Sequence, residues 1–316
     1  MSDSLPGATV AFPAPDGTLG ALEIGAVVAT FLFGVETLQT FNYYRQYPKD
    51  SVILRISVAF IWFLELAHTI CALHAVYSLS VTYYGQVEHL FNPPYSLQTT
   101  ILFSSSVYTL VQIFFANRLH LLSGSRPIPF LCYFLNLLRF GCNLAMFAFS
   151  IGPGGIPVLQ SRWHSLMATA FSLGAGVDVL TALSTCYCLW KLRNFGHTHT
   201  RRIVDTLIFW SIETTSITSA TGLVLLILFL TRSDLAWLSF HLIQAKLFSN
   251  SMLAALNGRQ RLQFADEEYS GGGAVIHFTS SSKIETEDLH GSDKSEFDGA
   301  KRVSKFDEPK RREKWN

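Results

Sequence analysis

VILRISVAFIWFLELAHTICALHAVYSLS, residues 52–80, holds one basic residue near its start (Arg55), one acid (Glu65) and two histidines (His68 and His74) among otherwise uncharged residues. A helix rises about 1.5 Å per residue, so roughly 20 predominantly apolar residues cross about 30 Å of hydrocarbon. Residues 52–80 exceed that length. Glu65 and His68, three residues apart, share one helix face near the middle of the span. A charge at that depth costs roughly 2.5–3.5 kcal/mol on insertion scales, so it is expected to face other helices and not lipid.

Six further segments read the same way: 20–41, 97–118, 128–151, 165–190, 203–231 and 234–257. Together they predict an all-α integral membrane protein, a bundle of seven transmembrane helices over residues 20–257. An N-terminal tail (1–19) precedes the bundle, and a disordered C-terminal tail (258–316) follows it. The chain is 49% hydrophobic and 15% charged, with a mean hydropathy of +0.29. Soluble domains carry about 25% charged residues. All eleven prolines fall in tails, loops or helix starts, so no proline kink is expected inside a helix.

Orientation follows from the basic residues of the short loops. One set of loops holds Arg45, Lys49, Arg55, Arg118, Arg126, Lys191, Arg193, Arg201, Arg202, Arg259 and Arg261; the opposite set holds only Arg162 and Arg232. Eleven against two places the first set in the cytosol. The N-terminus is then outside and the C-terminus inside, as expected of a multi-pass plasma-membrane protein. Tyr43, Tyr44 and Trp190 are expected as interfacial anchors on the inner side. Tyr83, Tyr84, Tyr95, Trp163 and Trp237 are expected on the outer side. The first twenty residues contain Asp3 and Asp16 but no Lys or Arg, so no cleaved signal peptide is expected.

Counting inward from the helix ends brings several ionisable groups to one depth: Glu65 and His68, Arg139, Asp178, Glu213 and Lys246. Asn143 lies four residues after Arg139, and Asn250 four after Lys246, on the same faces. These eight residues form a polar layer across the bundle, with Glu36 nearer the cytosolic side. The layer reads either as a ligand site, as a path for protons, or as a set of struts that fix helix register. Its carboxylates outnumber its fixed cations by one. Lys246 is expected to pair with Asp178 or Glu213. His74 and His241 read as interfacial residues nearer the outer surface.

No catalytic motif is present: there is no Gly-rich phosphate loop, no His-Glu-x-x-His and no Gly-x-Ser-x-Gly. The reading is therefore non-enzymatic, without metal or cofactor. Lys246 in the last span resembles a retinal Schiff-base lysine, but the third span (97–118, helix 3) lacks the acidic counterion, so no retinal adduct is expected. The seven-helix topology resembles that of G-protein-coupled receptors. Their motifs are missing: Asn117-Arg118-Leu119 closes helix 3, and helix 7 has no Asn-Pro-x-x-Tyr. The expected partners are the bilayer, a ligand of the polar layer and a cytosolic protein reached through the tail. A net charge of +1 makes no case for nucleic acid. In the tail, Lys301-Arg302-Val303-Ser304-Lys305 marks Ser304 as a phosphorylation candidate, its phosphate opposing attraction of residues 301–314 to anionic lipid.

Four stretches resemble a family of fungal multi-pass proteins from basidiomycetes, known as domain of unknown function 6534. They are Gly34-Val-Glu-Thr-Leu-Gln39 leading to Tyr43-Tyr44-Arg45 and Tyr47-Pro48-Lys49-Asp50; Trp62 with His68; Gln112-Ile-Phe-Phe-Ala116 through Arg118 to Leu122-Ser123-Gly124; and Lys246 through Asn250 and Asn257 to Arg259. The resemblance covers about residues 18–262 and implies the membrane fold. It brings no activity with it. The functional expectation is a receptor or sensor, with a proton-coupled or small-solute transporter or a purely structural protein as alternatives. A topology reporter fused after Asn316 should read cytosolic and one before Met1 extracellular; the same side for both would exclude an odd number of spans.

Overall fold

A computed structural model describes residues 19–86, 89, 92–123, 126–151, 161–195, 198–232 and 235–259, with the stretch 192–214 in backbone only. The C-terminal tail from 260 on, Ser304 included, and the N-terminal tail up to 18 lie outside the described residues, as does the side chain of Glu213. The described residues belong to one compact unit, which ends at Ser281.

Seven α-helices and no strand occur among the described residues: α1 (Ala21–Gln46), α2 (Val52–Tyr77), α3 (Tyr95–Ser123), α4 (Pro127–Ser150), α5 (His164–Phe195), α6 (Thr198–Thr231) and α7 (Ala236–Asn257). Five described segments are long and apolar enough to cross a bilayer: Ala21–Gln46, Val52–Thr82, Tyr95–Ser123, Pro127–Ser150 and His164–Lys191. In α6 the side chains are described from Thr215 on, and Thr215–Thr231 is apolar; α7 is diluted by buried polar residues.

Local signals set several helix ends. The Ser51 side chain caps α2 by accepting from the Leu54 amide at 3.4 Å, satisfying one of the donors a helix start leaves unpaired. Pro127 and Pro129 occupy the first turn of α4, where their missing N–H groups cost nothing. α2 widens at its end into one π-helical turn, Ser78–Thr82, and Ser80 there donates to Glu23 of α1 at 2.5 Å. Gly85, with φ +74°, then turns the chain, a conformation open to glycine at little cost.

Each helix packs on its neighbours in chain order, and α7 returns to α1, so the ring closes. α3 and α7 also meet across it; α3 reaches α5, and α7 reaches α2. The outer faces are apolar. Ile24, Val27, Phe31, Leu38 and Phe41 of α1 are each more than three-fifths exposed, while Glu36 on the same helix is fully buried. A water-soluble helix has the opposite polarity, and apolar exposure on this scale marks a membrane-contacting surface.

The interior holds two main apolar clusters. One contains Leu22, Ala26, Ala72, Leu97, Met146, Met167, Phe229 and Trp237. The other contains Tyr43, Val58, Ile61, Val107, Tyr108, Phe248 and Met252. On α1, α2 and α3 several buried polar residues fall in sequence between the two: Glu36, then Glu65, His68 and Thr69, then Ser104 and Ser105. Gln98, Thr100 and Gln112 of α3 are buried within the apolar stretches themselves. Two expected anchors are corrected here. Tyr43 and Trp237 are core residues, because the Tyr43 hydroxyl reaches Asp50 and the Trp237 indole packs on Phe171 and Phe229. Tyr84, Tyr95 and Trp190 are exposed.

α7 packs tightly on α1 at Gly25, where a Cβ would lie 2.8 Å from the Ser239 backbone Cα. A Cβ at Gly34 would meet nothing within 4 Å. Gly25→Ala should therefore destabilise the protein by about 1–3 kcal/mol through overpacking, while Gly34→Ala should be neutral or stabilising by up to about 1 kcal/mol. Thermal unfolding of the two variants in nanodiscs, side by side, checks this.

Candidate functional site: a buried polar layer

Lys246 is fully buried on α7. Its ammonium has three N–H donors, and all three go to α2: the Glu65 carboxylate, in a short contact, the Glu65 carbonyl at 2.9 Å and the Thr69 hydroxyl at 2.8 Å. Thr69 in turn donates to the Glu65 carbonyl at 2.7 Å. The Phe33 ring of α1 lies 5.1 Å from the ammonium, within cation–π range. The expected pairing of Lys246 with Asp178 or Glu213 is thus corrected to Glu65. Counting along a helix predicts depth, but the direction in which a side chain faces depends on how the helices are arranged around the ring. Lys246 faces α1 and α2, whereas α5, which carries Asp178, packs on α3, α4 and α6.

On α1, Glu36 accepts a hydrogen bond from Ser249 of α7 at 2.9 Å; its Oε1 has no hydrogen-bond partner among the described residues. Asn250, on the same side of α7, donates to the carbonyls of Leu32 at 3.1 Å and Lys246 at 2.7 Å. His68 is fully buried, 4.0 Å from the Glu65 carboxylate, and neither ring nitrogen has a hydrogen-bond partner among the described residues.

A second charged group lies where α3, α4 and α5 meet. Arg139 stands 3.9 Å from Asp178, and Asp178 accepts from the Gln112 side chain in a short hydrogen bond. The guanidinium lies over the rings of Tyr108, at 4.5 Å, and Phe248, at 5.6 Å. Gly174 makes room for it, because a Cβ there would come within 2.8 Å of the guanidinium carbon. Arg139 Nη1, Asp178 Oδ2 and Gln112 Oε1 have no hydrogen-bond partner among the described residues. Asn143 is buried on the same helix as Arg139.

Tyr108 and His241 stand between the two groups. Tyr108 donates to the His241 carbonyl at 3.3 Å, and the His241 ring meets Ser104 at 3.1 Å. His241 is buried against Tyr108 and Phe171, which corrects its reading as an interfacial residue; His74 is exposed and contacts Ser96. Of the eight residues of the expected layer, Glu65, His68, Lys246 and Asn250 gather on one side and Arg139 and Asp178 on the other; Asn143 is buried one turn from Arg139. Glu213 lies outside the described side chains. Thr69, Ser249, Gln112, Tyr108 and His241 complete the two groups and were not among the expected residues. Spacing could have suggested Thr69, four residues after Glu65, and Ser249, three after Lys246.

At the far end of α7, Arg259 grips Asp50 with two nitrogens, at 2.5 and 3.4 Å, and lies 4.3 Å from the Tyr47 ring centre. Asn257 donates to the Gln39 carbonyl at 2.9 Å. The end of α7 is thereby clasped to the turn between α1 and α2, just before the C-terminal tail.

A family model described as a family of unknown function (DUF6534) matches residues 174–261, from the middle of α5 through α7 to just past Arg259. That segment carries Asp178, Lys246, Ser249, Asn250 and Arg259. No curated protein and no solved structure matches the chain.

Removing one partner of a buried pair leaves an uncompensated charge, at a cost of about 3–5 kcal/mol. Lys246→Met should destabilise by that order. Adding Glu65→Gln should recover part of the loss, and adding Asp178→Asn should not. A double-mutant cycle followed by thermal unfolding in nanodiscs makes the comparison; recovery with Asp178→Asn alone would reverse the assignment.

Proposed function

We propose that this multi-pass protein is a non-enzymatic plasma-membrane receptor or sensor, with its N-terminus outside and its C-terminal tail in the cytosol. The stimulus acts on the buried polar layer, and the tail carries the output. One observation supports this most directly: His68, fully buried, presents two ring nitrogens without a hydrogen-bond partner among the described residues, beside the Glu65–Lys246 bridge. An unsatisfied buried polar group costs about 1–3 kcal/mol, so a polar ligand that bonds to His68 and Glu65 gains affinity there. Such a ligand competes with Lys246 for the Glu65 carboxylate and loosens α7 from α2. The same helix ends in the Arg259–Asp50 clasp, which gives a physical route from the layer to the tail.

A second reading, proton-coupled or small-solute transport, draws support from the run of engaged polar groups along α7: His241, Lys246, Ser249, Asn250 and Asn257. The two readings separate in one set of measurements on the full chain in nanodiscs and proteoliposomes. A small polar compound that raises the unfolding temperature of the wild type by several degrees, and not that of His68→Phe, supports the sensor. Proton or solute flux into proteoliposomes that is lost in Lys246→Met supports transport and overturns the sensor. Neither response, from a broad panel of polar metabolites, overturns both and leaves the charges as struts.

A further inference from the structure

The group formed by α1, α2 and α7 has an unbalanced charge. Two carboxylates, Glu36 and Glu65, share one fixed cation, Lys246, and all three side chains are fully buried. Lys246 has no donor left for Glu36, because its three go to the Glu65 carboxylate, the Glu65 carbonyl and Thr69. Glu36 receives one hydroxyl hydrogen bond, from Ser249. One oxygen of each carboxylate, Glu36 Oε1 and Glu65 Oε1, has no hydrogen-bond partner among the described residues, and neither has Asn250 Oδ1 on α7. α1 packs on α2 and α7, and the charged groups that act on Glu36 from those helices are Glu65 and Lys246.

A buried carboxylate without compensation is far costlier than a buried neutral group. The remaining negative charge must be balanced locally, and the unpartnered atoms are oxygen acceptors. Oxygen acceptors suit hard cations. Among the described residues no cluster of three or more His, Cys, Asp or Glu side chains is arranged to hold a metal ion, so a multidentate site for a divalent ion is not the match. The other titratable group here is His68 of α2, 4.0 Å from the Glu65 carboxylate; with that ring neutral, a charge of +1 is what the group requires.

We propose that Glu36 is a binding site for a monovalent cation, either an alkali-metal ion or a proton, that neutralises the Glu36–Glu65–Lys246 centre. The unpartnered oxygens of Glu36 and Glu65 are its acceptors, and Ser249 holds Glu36 in place. The bound cation leaves Lys246 on Glu65 and so keeps α7 tied to α2; without it, Glu36 competes for the same ammonium from α1. The site needs no stimulus ligand and stands apart from the sensor reading.

The test is thermal unfolding of the full chain in nanodiscs, in sodium, potassium, lithium or choline chloride at equal ionic strength, in acidic and in alkaline buffer. For an alkali-metal site, the unfolding temperature in alkaline buffer is several degrees higher with one of the three metal ions than with choline. That difference shrinks in acidic buffer, where protons occupy the site. For a proton site, the wild type responds to pH and not to the identity of the cation. In both cases Glu36→Gln, which keeps the shape and removes the charge, abolishes the response. Ser249→Ala, a milder change that serves if Glu36→Gln does not fold, weakens it. A wild type indifferent to both cation and pH, or a response that persists undiminished in the variants, overturns the proposal.

Discussion

The Lys246 ammonium gives all three of its hydrogen-bond donors to helix α2, and much of the interior is arranged around that contact. Inside a bilayer, water is not available to solvate a stray charge, so every polar group must find its partner within the protein. Lys246 fixes both the rotation of α7 about its axis and its height against α2. Ser249 and Asn250, on the turn below, are thereby brought to α1, where they meet Glu36 and the Leu32 carbonyl. The close approach of α7 to Gly25 continues this register toward the start of α1, and the Asn257–Gln39 and Arg259–Asp50 contacts continue it toward the other end.

Across the ring the second charged group is built differently. Arg139 relies less on its carboxylate, 3.9 Å away, than Lys246 does on Glu65, and more on the faces of Tyr108 and Phe248. A guanidinium suits this role because it is planar and more weakly hydrated than an ammonium. Gly174 leaves the space the plane requires. The two groups thus divide the work: one is a tight ammonium lock between α2 and α7, the other a looser, stacked cation between α4 and α5. Tyr108 and His241 join them by hydrogen bonding and ring contact. Small residues and polar side chains are the usual means by which membrane helices associate, since apolar burial supplies no drive between helices already in lipid.

Much of the helix pattern was legible in the sequence because hydrocarbon thickness imposes a length on any spanning helix. The expected segments 52–80 and 128–151 match their observed counterparts closely, while α1, α3 and α5 extend past their apolar limits. Such extensions carry polar residues, as with Arg45 and Gln46 on α1, and apolar counting stops before them. The burial of Glu65, His68, Arg139, Asp178 and Lys246 was legible for a related reason: a charge in the middle of an apolar run is conspicuous, and facing lipid would be costly. Tyr43, Trp237 and His241 were misplaced because each lies near the end of an apolar segment, and such a position does not distinguish an inward-facing ring from one at the headgroups.

By itself the sequence determined the helical class, the approximate limits of the helices and that Glu65, His68, Arg139, Asp178 and Lys246 are buried. These depend on one-dimensional quantities: hydropathy, spacing and charge along a helix of known rise. Only the tertiary structure decided that Lys246 belongs to Glu65, that Asp178 belongs to Arg139 and Gln112, and that Glu36 meets the Ser249 hydroxyl. Pairing depends on the direction each side chain takes from its helix axis and on which helices close the ring. Those are properties of the packed bundle, which the order of residues along any one helix does not contain.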